Sequence, residues 1–419
     1  MKVDRWTSEL RDRLNATARE AGFAAAGMAR VPSTGEPAAA VDAQRFDAWI
    51  NAGRAGEMGY LGRRDERGEL VRGALHRAMP WARSVVVCAW NYNADGPRSV
   101  DVAPGDTGWI ARYAWMGRAR PDGTLGPTDY HDELLGRLRQ VEAALLEQAE
   151  CLTRCYVDTG PILERDFAAK AGIGWIGKNT CVLNQELGSW LLLAVIITSL
   201  PMEESVAELV AADRCGTCAR CIDACPTDAL LAGRDLAGAR EMDATRCISY
   251  LTIEKKGAID EQLHAGIGRN IFGCDICQEV CPWNRKAPTG VSANTRTELV
   301  NPPLEWLASM NSAEFKRQFK GSPLERTGRK RLLRNVAIAM GNSGRREFLP
   351  YLDRWAEEEG EGVAHAGLRA AANVSRQRIR SATEAKDAQN ASASLVGDAD
   401  RRPQENEGRD ASSRGDAAG

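Results

Sequence analysis

Eight of the twelve cysteines of this chain fall into two runs. The first is Cys215-Gly-Thr-Cys218-Ala-Arg-Cys221-Ile-Asp-Ala-Cys225-Pro226. The second is Cys247 followed by Cys274-Asp-Ile-Cys277-Gln-Glu-Val-Cys281-Pro282. The spacing CxxCxxCxxxCP lets three thiolates hold corners of one iron-sulfur cubane, while the fourth, carried away by the turn at proline, reaches a different one. The second run is one ligand short, because Ile271 stands three places before Cys274, and Cys247 is the candidate that makes up the number. Two crossed [4Fe-4S] sets follow: Cys215, Cys218, Cys221 with Cys281, and Cys225, Cys247 with Cys274, Cys277. Structural zinc also uses CxxC pairs, but it requires neither a third cysteine at that interval nor a Cys-Pro ending in both halves. The other cysteines, Cys88, Cys151, Cys155 and Cys181, read as small apolar packing residues.

Ala171-Gly-Ile-Gly-Trp-Ile-Gly-Lys-Asn179 matches two phosphate-loop patterns and satisfies neither. Asn179 stands where the GxxxxGK[ST] loop needs a hydroxyl for magnesium. A dinucleotide fingerprint must follow a strand and open a helix, whereas Leu163–Ala171 reads as helix and Cys181 opens a strand. What remains is a glycine loop able to approach a large ligand, with Lys178 able to meet a phosphate, or simply a tight helix-to-strand connection. Tyr156-Val-Asp158-Thr-Gly-Pro161 sets a carboxylate at the C-terminal end of a strand, ahead of a helix begun by Pro161. Open sheets place ligand sites there, although an ordinary turn or N-cap aspartate fits as well. Of the four histidines only His131, in Asp129-Tyr-His-Asp, has a suggestive setting. Between Lys316 and Arg334 stand eight Lys/Arg and one Glu, a stripe that reads either as a phosphate-backbone footprint or as a solvated helix face.

The elements that must position these groups follow from periodicity. Residues 7–22 carry Leu10, Leu14 and Ala18 on one helical face, and Phe23–Val31 reads as a strand. Ser84–Tyr92, Cys155–Asp158, Cys181–Asn184 and Trp190–Thr198 read as strands, Asp129–Ala149 as an amphipathic helix, and Gly117–Pro127 as a surface loop. Residues 1–205 therefore form one α/β or α+β domain, and 206–290 a turn-rich, ferredoxin-like module where metal replaces much of the apolar core. Leu332–Met340, Phe348–Trp355 and Val363–Ala371 mark three helices of a short HEAT-like repeat over 291–375. The tail 376–419 has eight basic and eight acidic residues and little to bury, so it reads as disordered. The first residues are too charged for a signal peptide, and Trp190–Leu200 is too short to cross a bilayer. A net charge of -2 favours no class of partner. Reduced, metal-binding cysteines fit a cytoplasmic protein.

Several segments resemble the epoxyqueuosine reductase family when taken in order. They are Asp158-Thr-Gly-Pro161, the loop Ala171–Asn179, Gly188-Ser-Trp190, the cysteine runs, Arg246-Cys-Ile-Ser-Tyr-Leu-Thr-Ile-Glu254, and Gly321-Ser-Pro-Leu-Glu-Arg-Thr-Gly328 with Arg334-Asn. The resemblance covers roughly residues 5–375, and that family too supplies a ligand from the position of Cys247. It implies an α+β multidomain chain with a nitroreductase-like cobalamin-binding domain, and cobalamin beside the clusters. Asp129-Tyr-His131 is followed by Leu134 where the base-off signature DxHxxG has glycine, so no histidine is expected on cobalt. The resemblance carries cobalamin contacts to Gly174, Gly177, Lys178, Asn179 and Val182, with Met58 and Tyr60 beside them. It makes Asp158 the proton donor, its pKa raised by burial, and Arg165 a substrate or cofactor contact. It also implies a tRNA substrate, for which Arg326, Arg329, Lys330, Arg331 and Arg334 are the candidate contacts, a low-potential electron donor, no membrane and a monomer. Departures are the Gly117–Pro127 insertion, a longer Leu230–Ala244 connection and the polar tail. A reductive dehalogenase would share cobalt and clusters but would have no purpose for a basic helical repeat. A plain electron carrier would not need the first two hundred residues.

Overall fold

The strand Ser84–Asn91 is buried along its whole length, and its alternation divides the first two hundred residues into layers. Successive side chains of a strand point to opposite faces. Val86, Cys88 and Trp90 therefore pack on one side against helices α1 (Ser8–Glu20) and α2 (Tyr130–Gln148). Val85, Val87 and Ala89 pack on the other, against helix α3 (Glu164–Lys170) and the Leu75–Ala78 turn. The computed structural model describes residues 2–33, 36–203, 206, 209–231, 240–290 and 294–399.

The sheet contains β1 (Ala25–Arg30), β2 (Ser84–Asn91), β3 (Thr153–Tyr156) and β4 (Leu191–Thr198) in the order β1-β2-β4-β3. Every pairing is antiparallel, with Val86 opposite Met28 and Ile196. This makes the layer arrangement α+β. Leu134, Leu138, Val141 and Leu145 are fully buried on the sheet-facing side of α2, as the helical spacing requires. No helix among the described residues is long and apolar enough to cross a membrane.

A second core joins the cysteine region to the C-terminal helices. Ile248, Leu251, Ile267, Ile271 and Phe272 share it with Leu332, Leu333, Val336, Ile338 and Met340 of helix α4 (Gly328–Ser343). Helices α5 (Leu349–Glu357) and α6 (Val363–Ala399) pack over α4, contributing Leu352, Trp355, Leu368 and Ala372.

Three expectations change. The 376–419 tail is not disordered from its start, because α6 continues to Ala399. Ile379 is fully buried, and Arg376 and Arg380 pair with Asp353 of α5. Residues 400–419 lie outside the described residues. Gly117–Pro127 is a β-hairpin rather than an irregular loop, Gly117–Ala119 pairing with Leu125–Pro127 across a turn at Asp122-Gly123, where Gly123 has φ 79°. Pro161 does not begin a helix, since α3 starts at Glu164. In the Leu230–Ala244 connection, Leu230–Leu231 pairs with Glu241–Met242, and 232–239 lie outside the described residues.

Candidate active site and cluster cysteines

The backbone turns sharply just past β3. Asp158 has φ 54°, left-handed backbone that a non-glycine residue adopts at a cost of about 1 kcal/mol. Such a conformation in an enzyme-like cleft is a reason to look for function. It swings the carboxylate outward, so Asp158 is exposed rather than buried, and the expectation of a carboxyl shielded from solvent is corrected. The Tyr130 hydroxyl, at the start of α2, donates to Asp158 Oδ2 at 3.1 Å. Tyr130 is buried, and burial first, then the charge of Asp158, holds its phenol well above the usual range. Asp129 caps α2 by accepting from the His131 amide, and the two side chains meet at 2.6 Å through His131 Nδ1.

The site draws on the C-terminal part of the chain as well. Arg326, at the solvent-exposed rim, lies within electrostatic reach of Tyr130, Tyr113 and Asp129. The hydrogen bond itself joins Tyr130 to Asp158, and the Arg326 cation faces that pair. Tyr60 is 61% exposed, and its phenol feels Glu254, Asp158, Arg72 and Arg326. Met58, two residues before, packs partly against the second core. Sequence reasoning missed Tyr130 and Tyr113 as site residues. The signal for Tyr130 was its place between the helix cap Asp129 and His131.

The glycine loop turns out to be a short hairpin, Trp175–Ile176 against Val182–Leu183. A Cβ on Gly174 would come 2.0 Å from Leu183 O, and one on Gly177 would come 2.4 Å from Leu183 Cδ1. These glycines are therefore required by the hairpin itself. Val182 is buried in the core below. Lys178 does not reach toward a phosphate: its Nζ donates to the carbonyls of Gly216 at 2.8 Å and Cys218 at 2.9 Å, closing the first cysteine loop. Asn179 is buried, and its Nδ2 donates to Cys277 O at 3.5 Å. Arg165 Nη1 donates to Thr180 O at 2.6 Å, fixing a residue that itself has φ 63°. The loop thus ties the catalytic half to both cysteine runs.

The eight candidate ligands are free thiols, partly or fully buried. Burial, then Cys281 and Cys215, pushes the Cys221 thiol up to about 11. Cys281 is likewise raised by burial, with Cys215 and Cys218 adding to it. Burial, then Cys247, raises Cys274 well above the usual range, and Cys225 acts on both Cys247 and Cys274. These electrostatic couplings link Cys221 and Cys281 with Cys215 and Cys218, and Cys274 with Cys225, Cys247 and Cys277. Buried thiols grouped in this way suit iron-sulfur clusters, because a bound metal removes the proton that burial otherwise retains. Cys88, Cys151 and Cys155 pack in or against the first core, as expected. Cys181 is not simply a packing residue: its Sγ donates to Asn179 O at 3.7 Å, and the neighbouring Cys277 holds its thiol below the usual range.

The basic stripe is largely a set of structural arginines. Arg334 is fully buried, donating to the carbonyls of Leu251, Lys255 and Gly257 at 2.6–2.7 Å, so it cannot touch a phosphate. Arg331 donates to Thr327 O at 2.6 Å and Ile253 O at 2.9 Å, and Arg329 to Met310 O at 2.7 Å. Lys330 pairs with Glu358.

Residues 72–159 match the family described as "Epoxyqueuosine reductase QueG, DUF1730", and residues 214–284 match "4Fe-4S double cluster binding domain". An epoxyqueuosine reductase of Xanthomonas campestris is 38% identical over 341 residues, 79% of this chain and 86% of the relative. The chain belongs to the epoxyqueuosine reductase family. A crystal structure of a family member with an epoxyqueuosine-modified tRNA-Tyr stem loop superposes with TM-score 0.71 at 27% identity, covering 88% of this chain and 90% of that one. A Bacillus subtilis member has its aspartate-bearing catalytic loop swung out of the active site. It superposes equally well, with TM-score 0.71 at 26% identity and the same coverage. Residues 214–284, as a double-cluster domain, carry two [4Fe-4S] clusters.

Replacing Cys281 by Ser should damage the cluster built on Cys215, Cys218 and Cys221, although Cys281 lies far along the chain. Paramagnetic resonance on anaerobically reconstituted protein reads which cluster is lost. Loss of the Cys225/Cys247 cluster instead would overturn the crossed assignment.

Proposed function

We propose that this chain reduces epoxyqueuosine to queuosine at the wobble position of tRNA, with cobalamin and two [4Fe-4S] clusters, in the last step of queuosine synthesis. Removing the epoxide oxygen as water and leaving an alkene takes two electrons and two protons. Cobalamin, when bound, supplies a cobalt centre able to deliver reducing electrons one or two at a time, and the clusters carry electrons singly. All other functions fall to side chains. Asp158, exposed and held by Tyr130, is positioned to protonate the substrate oxygen as its ring opens. Arg326, exposed at the rim and within electrostatic reach of Tyr130, can meet an anionic group of the nucleotide. Tyr60 offers an exposed ring for a base to stack on.

The residues fit a large cofactor next to the clusters. The hairpin carrying Gly174, Gly177, Lys178 and Asn179 adjoins the cysteine loops, and the exposed Tyr60 lies within electrostatic reach of Asp158. The division of labour that accompanies this reading is a cobalamin-binding catalytic domain over 1–205, a cluster domain over 206–290 and a HEAT-like tRNA-binding region over 291–375. The enzyme acts as a cytoplasmic monomer supplied by a low-potential electron donor.

The observation that carries the reading is the Tyr130–Asp158 hydrogen bond, which holds an exposed acid outward at a substrate too large to be enclosed. The test is complementation. Expressed in a bacterium whose own epoxyqueuosine-reducing enzyme is deleted, the chain should restore queuosine to tRNA. Continued accumulation of epoxyqueuosine, with soluble protein present, would sink the proposal.

A further inference from the structure

Glu164 is the first residue of α3, six positions beyond Asp158 and joined to it by the turn that ends in Ile162-Leu163. Its side chain is 12% exposed. Its Oε1 is buried with no hydrogen-bond partner among the described residues. The nearest cation, Arg72, stands 3.8 Å from Oε2, beyond hydrogen-bond reach, and donates instead to Ile162 O at 3.1 Å. A buried carboxylate left in this state is costly, and the group avoids the cost by keeping its proton. Burial first, and then the negative charge of Asp158, pushes the Glu164 carboxyl up to about 7, against the pull of Arg72 and Arg165. Those three residues are the charged groups that act on it. A neutral acid ready to give up a proton near physiological pH thus lies within electrostatic reach of an exposed aspartate that can hold only one.

We propose that Glu164 is the proton reservoir of this site, a positioning residue that reprotonates Asp158 between the two protonations of the substrate oxygen. The inference rests on the reading given under Proposed function. The balance is simple. Both carbon–oxygen bonds of the epoxide break and a carbon–carbon double bond forms. Two electrons arrive from the low-potential donor through the clusters, and the oxygen leaves as water with two protons. Asp158 delivers the first proton, Glu164 restores it, and Asp158 delivers the second. Solvent then returns one proton to each of the two carboxyls before the next turnover.

The test compares the reconstituted wild type with Glu164→Gln and Glu164→Asp. The wild type should turn over fully below neutrality and slow as pH rises through about 7, where the reservoir empties. Glu164→Gln should be about 10²-fold slower at pH 6, the lower end of what a proton-transfer group contributes, and should lack that pH limb. Glu164→Asp, which keeps a carboxyl, should retain the limb at reduced rate. A second readout needs no activity. A carboxyl raised from about 4.5 to about 7 stabilises the fold fully below its unfolded value and loses that contribution as pH rises through its folded value. Glu164→Gln should therefore gain stability relative to the wild type as pH rises from about 4 to about 8, with or without bound cofactors. Unchanged turnover and an unchanged pH limb in Glu164→Gln, or a melting difference that does not vary with pH, would overturn the proposal. A wild type that melts as described but never converts epoxyqueuosine would instead overturn the functional reading and leave the buried proton standing.

Discussion

Asp158→Asn should retain both clusters and bind cobalamin like the wild type, yet lose turnover by about 10²-fold or more, the scale on which a positioned general acid acts. The substitution keeps the shape that accepts the Tyr130 hydroxyl, and asparagine tolerates the left-handed backbone at φ 54°. Only the transferable proton disappears. A loss in kcat with little change in KM for tRNA identifies a group acting in the transition state. Near-normal turnover would return Asp158 to the role of a turn residue.

Arg334→Ala should be the most destabilising single change in the C-terminal half. The guanidinium is wholly buried, and its five hydrogen bonds go to three backbone carbonyls and to Asn335 Oδ1. Burial and the neighbouring Arg331 lower it to about 10, so it is still a cation at neutral pH. Truncation would leave the carbonyls of Leu251, Lys255 and Gly257 without their donor, at about 1–3 kcal/mol for each buried group that finds no other. A total of about 3 kcal/mol or more is expected. Because helix Ile248–Ile253 follows directly on Cys247, the same variant should lose iron from the cluster that Cys247 serves. Urea unfolding and iron content measure both effects. Normal stability with a selective loss of tRNA affinity would restore Arg334 to the nucleic-acid contacts.

The contrast between Arg326 and Arg334 shows what was legible in the sequence. Spacing alone grouped the eight cysteines, because cluster ligation constrains residue type and interval together. The continuous apolar run within Ser84–Asn91, buried on both faces, and the leucine stripe of α2, which meets one layer, were equally readable. The stripe failed because charge density says nothing about direction. Leu332 to Gly341 is buried almost without interruption, so α4 is a central helix. Arg334 inside that run could only face protein, while Arg326 precedes the helix and reaches the site. Asp122-Gly123 is a hairpin signal that polar flanks concealed. Helix α6 runs on through a polar segment because pairs such as Arg380–Asp353 and the single anchor Ile379 hold it to α5. Tyr130 and Glu164 were hidden for another reason: a hydrogen bond across 28 positions, and a carboxyl oxygen with no partner, exist only once the chain has folded.

Conversion of the substrate by the purified protein tests the central claim most directly. Reconstituted chain, cobalamin and a strong low-potential reductant would be incubated anaerobically with tRNA carrying epoxyqueuosine, and the digested nucleosides analysed by mass spectrometry. The account predicts that the epoxyqueuosine signal is replaced by queuosine, one oxygen atom lighter, and that omitting cobalamin abolishes the change. Intact epoxyqueuosine after incubation with protein carrying both clusters and bound cobalamin would contradict it.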